Sequence, residues 1–238
     1  MSQVEQNKEA IQANRQKINK IDTVVMNNKA SIYQSRSMIE ENRLMILSNY
    51  AAAFMGNRQL ANHNTDEIFE NRKAILESFD AQSDVEANYI QASINKAALD
   101  FLAHRSALNS AVLDISEEMA EINTQLIAIN KKIMDANQGI VEFNDANIEM
   151  NTSLLDGDLN PAQATPESNA ELIAANSAAM EGLMANASNN AARIGDILEK
   201  SSENAAGLME NKAQINERRS SIMANRDRIL ANRERISG

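Results

Sequence analysis

The side chains most able to do chemistry are sparse in this chain. There is no cysteine, which removes disulfides and thiolates, and there are two histidines, His63 and His104. A metal ion or a proton shuttle needs several such groups at one point. In the register developed below, the two histidines do not face each other. The stretch Asp156-Gly157-Asp158-Leu159-Asn160 is rich in oxygen donors. It lacks the ligand spacing and closing glutamate of a calcium loop, and it reads as a polar turn. Glu40-Glu41 and Glu117-Glu118 are adjacent carboxylates on helix faces that water can solvate. No glycine-rich phosphate loop and no paired Glu-x-x-His occur. The expectation is a non-enzyme with no cofactor.

Asparagine is the polar residue with a regular spacing. In residues 211–236, Asn211, Asn225 and Asn232 recur with Arg218 in the fourth slot, and four residues after each slot stands Ile215, Ile229, Ile236 or Ile222. That is a heptad with isoleucine at a and asparagine at d. The same pattern opens the chain: Val4, Ile11, Ile18, Val25, Ile32, Ile39 and Ile46 at a, with Asn7, Asn14, Ile21, Asn28, Ser35, Asn42 and Asn49 at d. Near Gly56 the phase slips by one residue and resumes with Asn57, Asn64 and Asn71. A one-residue slip is absorbed by local unwinding or a π-bulge. A second segment carries Asn88, Asn95, Asn109, Asn123, Asn130, Asn137, Asn144 and Asn151, with Val85, Leu99, Leu113, Ile127, Met134, Val141 and Ile148 at a. A third carries Asn169, Asn176, Asn190, Asn204 and the closing asparagines.

These repeats must ride on long helices. With 238 residues, seven glycines, two prolines and 3% aromatic content, the chain has little helix punctuation and no ordinary aromatic core. Ser2 with Glu5 forms a capping box, Ser83-Asp84 opens a second helix, and Thr165-Pro166-Glu167 opens a third. The expected architecture is all-α, with helices over about 3–77, 83–154 and 166–236 and a loop over 155–165. They would form one elongated domain, an up-down-up antiparallel three-helix coiled coil. Folding at residues 79 and 160 aligns six layers: Asn7/Asn151/Asn169, Asn14/Asn144/Asn176, Asn28/Asn130/Asn190, Asn49/Asn109/Asn211, Asn64/Asn95/Asn225 and Asn71/Asn88/Asn232. Asparagine facing asparagine can satisfy its amide, and asparagine facing isoleucine cannot, so the layers would set register and orientation. The repeat resembles, at the level of the motif, the stalks of trimeric autotransporter adhesins. Those stalks use three parallel chains, and the resemblance implies that such a layer can hold an axial chloride.

The middle segment has a further apolar series one residue before each d slot: Ile94, Phe101, Leu108, Ile115, Ile122, Ile129, Phe143 and Met150. It widens the apolar face beyond an ordinary core stripe and offers a lateral surface for a partner. The net charge of −10 disfavours nucleic acid, and residues 81–160 carry most of it, with thirteen acidic and four basic side chains. Six arginines, Arg218, Arg219, Arg226, Arg228, Arg233 and Arg235, crowd the other end. The expected register sets them beside Asp66, Glu67, Glu70, Glu77, Asp84 and Glu86. No transmembrane run or signal peptide is evident, so a cytoplasmic location is the default expectation. The function expected from all this is a structural scaffold that associates with itself through the middle helix. The alternative is an adaptor that docks a partner protein's helix there.

Overall fold

The computed structural model describes residues 2–237. The described residues are all-α, arranged as three long helices. The first comprises α1 (Gln3–Tyr50), a π-helical segment (Ala51–Asn57) and α2 (Arg58–Glu77). The second is α3 (Asp84–Leu155), and the third is α4 (Pro166–Ser237), preceded by a 3₁₀ turn at Pro161–Gln163.

Capping chemistry sets these bounds. The Ser2 hydroxyl accepts from the Glu5 N–H at 3.3 Å, and the Ser2 N–H donates to the Glu5 carboxylate at 2.8 Å, closing the expected capping box. The Ser83 hydroxyl accepts from the Glu86 N–H at 3.3 Å. Thr165 Oγ1 accepts from the Ser168 N–H at 3.1 Å, and Pro166 takes the first helical position, where no N–H is needed. At the end of α3, the Asp158 N–H bonds Ser153 O and the Gly157 N–H bonds Leu154 O, at 3.2 and 3.3 Å. Gly157 has φ +91°, a left-handed conformation that suits glycine. The oxygen-rich turn is therefore a helix stop of the Schellman type.

The phase slip expected near Gly56 is housed in the π-helical segment. There the Arg58 N–H donates to Ala53 O, five residues back. The extra residue is spread over one wide turn.

The chain divides into two compact units, Met1–Asn64 with Ala162–Arg228 and Thr65–Pro161 with Ile229–Gly238. In the first unit α1 and α4 run parallel, with the d positions of α1 turned toward the a positions of α4. The amide nitrogens of Asn7, Asn14, Asn28, Asn42 and Asn49 donate to the main-chain oxygens of Pro166, Ile173, Ala187, Ser201 and Leu208, at 2.7 to 3.1 Å. Each acceptor lies 159 residues further along. Beyond the π-helical segment the offset becomes 158, with Asn57 on Ile215 O and Asn64 on Ile222 O at 2.8 and 2.9 Å. At the 159-residue offset stand two steps without a rung, Ile21 with Met180 and Ser35 with Ile194, all buried. The Ser35 hydroxyl turns back to Ile32 O on its own helix.

The second unit holds one more rung of the same kind, Asn71 to Ile229 O at 3.1 Å. It also joins α2 to the first third of α3. Phe69 stacks on Phe101 with ring centroids 4.5 Å apart, and Arg105 bonds Asp66 at 2.7 Å. These partners run in opposite directions, as expected, but the register differs. Setting Asn64 by Asn95 and Asn71 by Asn88 would have put Phe69 near Tyr89-Ile90.

The face also differs. Ala97 is buried and Ala87, Ile90, Ile94, Phe101 and Leu108 are half-buried, whereas Asn88, Asn95, Asn109, Val85, Leu99 and Leu113 are exposed. The extra apolar series, read as an outer surface, is the packed side over 87–108. Burying an Ile, Leu or Phe side chain gains roughly 1.5–3 kcal/mol, and an asparagine gains nothing comparable without a partner. The face with more apolar area turns inward. If Phe69 and Phe101 are stacked, the double-alanine variant should lose less stability than the two single changes together, with a coupling of about 0.5–1.5 kcal/mol by urea unfolding. Strict additivity would return α3 to the expected register.

Candidate interaction surface

The sequence-predicted asparagines separate into three kinds. Those of the first long helix, Asn7, Asn14, Asn28, Asn49, Asn64 and Asn71, are buried or half-buried donors to a helix backbone. Those of α4, Asn169, Asn176, Asn190, Asn211, Asn225 and Asn232, are exposed. Those of α3, Asn88, Asn95, Asn109, Asn130, Asn144 and Asn151, are exposed as well. Between α1 and α4 the amides of the first helix bond main-chain oxygens and not the α4 amides, and together they form an amide-to-carbonyl ladder. A helical carbonyl has a second lone pair after its own i+4 bond, and a side-chain donor from a close neighbour can use it. This acceptor belongs to the backbone at an a position, so residue types could not reveal it.

Two further residues bear on the ladder. Asn42, at d, is 7% exposed and donates to Ser201 O at 2.7 Å, the tightest burial of any asparagine of α1. Asn57 donates at its amide nitrogen, but its buried Oδ1 has no partner, at the edge of the π-helical turn.

Turning the d row of α1 toward α4 leaves its a row at the rim. Ile11, Ile18, Ile32, Ile39 and Ile46 are each 46–53% exposed. Three openings follow the α1–α4 seam within the first unit. One runs from Val4 to Gln12 against Thr165–Asn169, one from Val25 to Arg36 against Leu183–Asn190, and one from Ile46 to Ala53 against Leu208–Arg218. Their charged lining residues are Lys8, Lys29, Arg36 and Arg218, all cations. Arg218, one of the six terminal arginines, lines the third opening. Of the other terminal arginines, Arg233 approaches Glu67 at 3.7 Å, one of the expected pairings.

In α3 the predicted partner series divides at its middle. Ile94, Phe101 and Leu108 are half-buried inside the second unit, while Ile115, Ile122, Ile129, Phe143 and Met150 are exposed, by 42–67%. Every residue from 120 to 152 is exposed, including the a residues Ile127, Met134, Val141 and Ile148. An amphipathic helix of this length draws its stability mainly from burying its apolar face, and here that face meets solvent.

His104 lines a shallow cleft with Arg72, Asp100 and Phe101 in the second unit. Among the described residues, no three histidine or carboxylate groups gather as a metal site, and no helix is long and apolar enough to cross a membrane. The chain matches no protein-family model, no curated protein and no solved structure.

Proposed function

We propose that this protein is a non-enzymatic helical scaffold that associates with further copies of itself through α3. The observation that carries this reading is the bare apolar series on α3, Ile115, Ile122, Ile129, Phe143 and Met150, with Ile127, Met134, Val141 and Ile148 beside it. A contiguous apolar stripe of this kind marks an interaction surface, because each such side chain gains roughly 1.5–3 kcal/mol when covered. The asparagine ladder supports the same reading. It ties α1 to α4 rung by rung at one 159-residue offset, which suits a part that must present surfaces at fixed spacing.

Light scattering across a wide concentration range tests the reading. The expected mass is two or more chains of 26.2 kDa, and Ile122→Lys with Ile129→Lys should bring it to one chain with helix content retained. A single-chain mass for the native protein at every concentration would overturn it.

A further inference from the structure

We infer that the Arg219 guanidinium donates to Asn57 Oδ1 across Gly56, and that this contact holds the first long helix at the 158-residue offset it adopts after the π-helical turn. Arg219 is then a positioning residue for the ladder. All three residues belong to the first unit, so the inference stands apart from the self-association proposed above.

The first observation is an acceptor in need of a donor. Asn57 is 7% exposed, its Nδ2 donates to Ile215 O at 2.8 Å, and its buried Oδ1 has no partner. Buried amide oxygens are stable when a donor meets them, and the Nδ2 bond already fixes which way this amide points.

The second is a donor at hand. Along α4 the main-chain oxygen of Ile215 lies one helical turn before Arg219, so the Arg219 side chain leaves the backbone beside the Asn57 rung. Arg219 Nη1 lies 3.7 Å from the point where a Cβ on Gly56 would stand, next to the residue that carries the orphan oxygen. A guanidinium has five N–H groups, and among the described residues those of Arg219 meet no protein acceptor. Gly56 puts no side chain between the two, so a turn about the last torsions of Arg219 brings an N–H to the oxygen.

The third is the pattern along α4. The residue four places after the rung acceptor is alanine or serine at the four rungs from Asn7 to Asn42, and Lys212, Arg219, Arg226 or Arg233 at the four from Asn49 to Asn71. Small residues give way to cations where the phase slips. Arg233 shows the reach of this position, since it approaches Glu67 of the first long helix at 3.7 Å.

The test compares Asn57→Asp with Asn42→Asp in the full-length chain at pH 7. Each change sets a carboxylate oxygen against a carbonyl oxygen. Beside the Asn42 rung stands Ala205, which offers nothing, whereas Arg219 can give a carboxylate a charge-assisted bond. By urea unfolding, Asn57→Asp should lower the folding equilibrium constant at least tenfold less than Asn42→Asp does. Adding Arg219→Met to each should abolish that difference, and Arg219→Lys should retain part of it. In nitrogen-15 spectra of the native protein, rotation about the Arg219 Cζ–Nη bonds should be slower than in Arg193, which is exposed on the same helix. Equal losses for the two aspartate changes, a difference that survives Arg219→Met, or a freely rotating Arg219 guanidinium would each overturn the inference and leave water as the donor to Asn57.

Discussion

Asn42→Asp should lose about 2–4 kcal/mol of stability at pH 7 and recover most of it below pH 4. The substitution is nearly isosteric, so packing is unchanged and only the hydrogen chemistry differs. Asparagine presents an N–H to Ser201 O at 2.7 Å in a site where the side chain is 7% exposed. An ionised aspartate can only accept, so a carboxylate oxygen would face a carbonyl oxygen with little water to separate them. Protonation turns the carboxyl into a donor that can restore the rung. The folded state therefore holds the proton more tightly than the unfolded chain, and the aspartate's folded pKa lies above the unfolded value of about 3.9. The sign follows: the restored stability is fully present below about pH 4 and disappears as pH rises through the folded pKa.

The companion changes Asn27→Asp and Asn189→Asp, at exposed positions away from the ladder, should stay within about 0.5 kcal/mol of the parent at both pH values. Equal costs at Asn42, Asn27 and Asn189 would mean that the loss at Asn42 reflects the added charge alone and that the amide-to-carbonyl ladder is wrong. Chemical unfolding followed by circular dichroism at pH 7 and pH 4 is sufficient.

Deleting Ala52 should cost no stability and should abolish the π-helical turn, whereas deleting Ala30 should cost about 2–4 kcal/mol. The turn exists because Asn49 and Asn57 are eight residues apart while their acceptors, Leu208 and Ile215, are seven apart. Removing a residue from Ala51–Asn57 makes the two spacings equal, and an ordinary i+4 helix can then carry every rung. Removing Ala30 leaves the same total length but puts a phase change in the wrong place. The chain must either keep its π turn and lose the rungs at Asn7, Asn14 and Asn28, or lose the turn and displace Ser35, Asn42 and Asn49 from their partners. Two or three rungs at about 1 kcal/mol each, with the burial around them, set the size of the loss. Thermal unfolding of the two deletion variants compares them directly. If both cost the same, the π turn is not what reconciles the two spacings.

The periodicity of this sequence determined the number of helices, their bounds and the place of the phase slip. The reason is that these features are local. Ser2 and Glu5, Thr165 and Pro166, and Gly157 act on their own turn, and the eight-residue interval from Asn49 to Asn57 is visible without knowing what either residue touches. The parallel relation of the first and third helices was legible for the same reason, because Asn7 and Asn169 open repeats of equal period. What only the tertiary structure decided is what the asparagines bond to and which face of α3 turns inward. Asn28 donates to a main-chain oxygen at Ala187, and every residue type has that oxygen, so no spacing of side chains could announce it. On α3, two apolar rows two residues apart in the heptad, Ile94 with Phe101 and Leu99 with Leu113, compete for one neighbour. Both are legitimate helix faces, and the choice fell to Phe69, whose ring meets Phe101 across α2 and α3. A residue pattern sets which faces can be buried, and the shape and backbone of the neighbouring helix decide which one is.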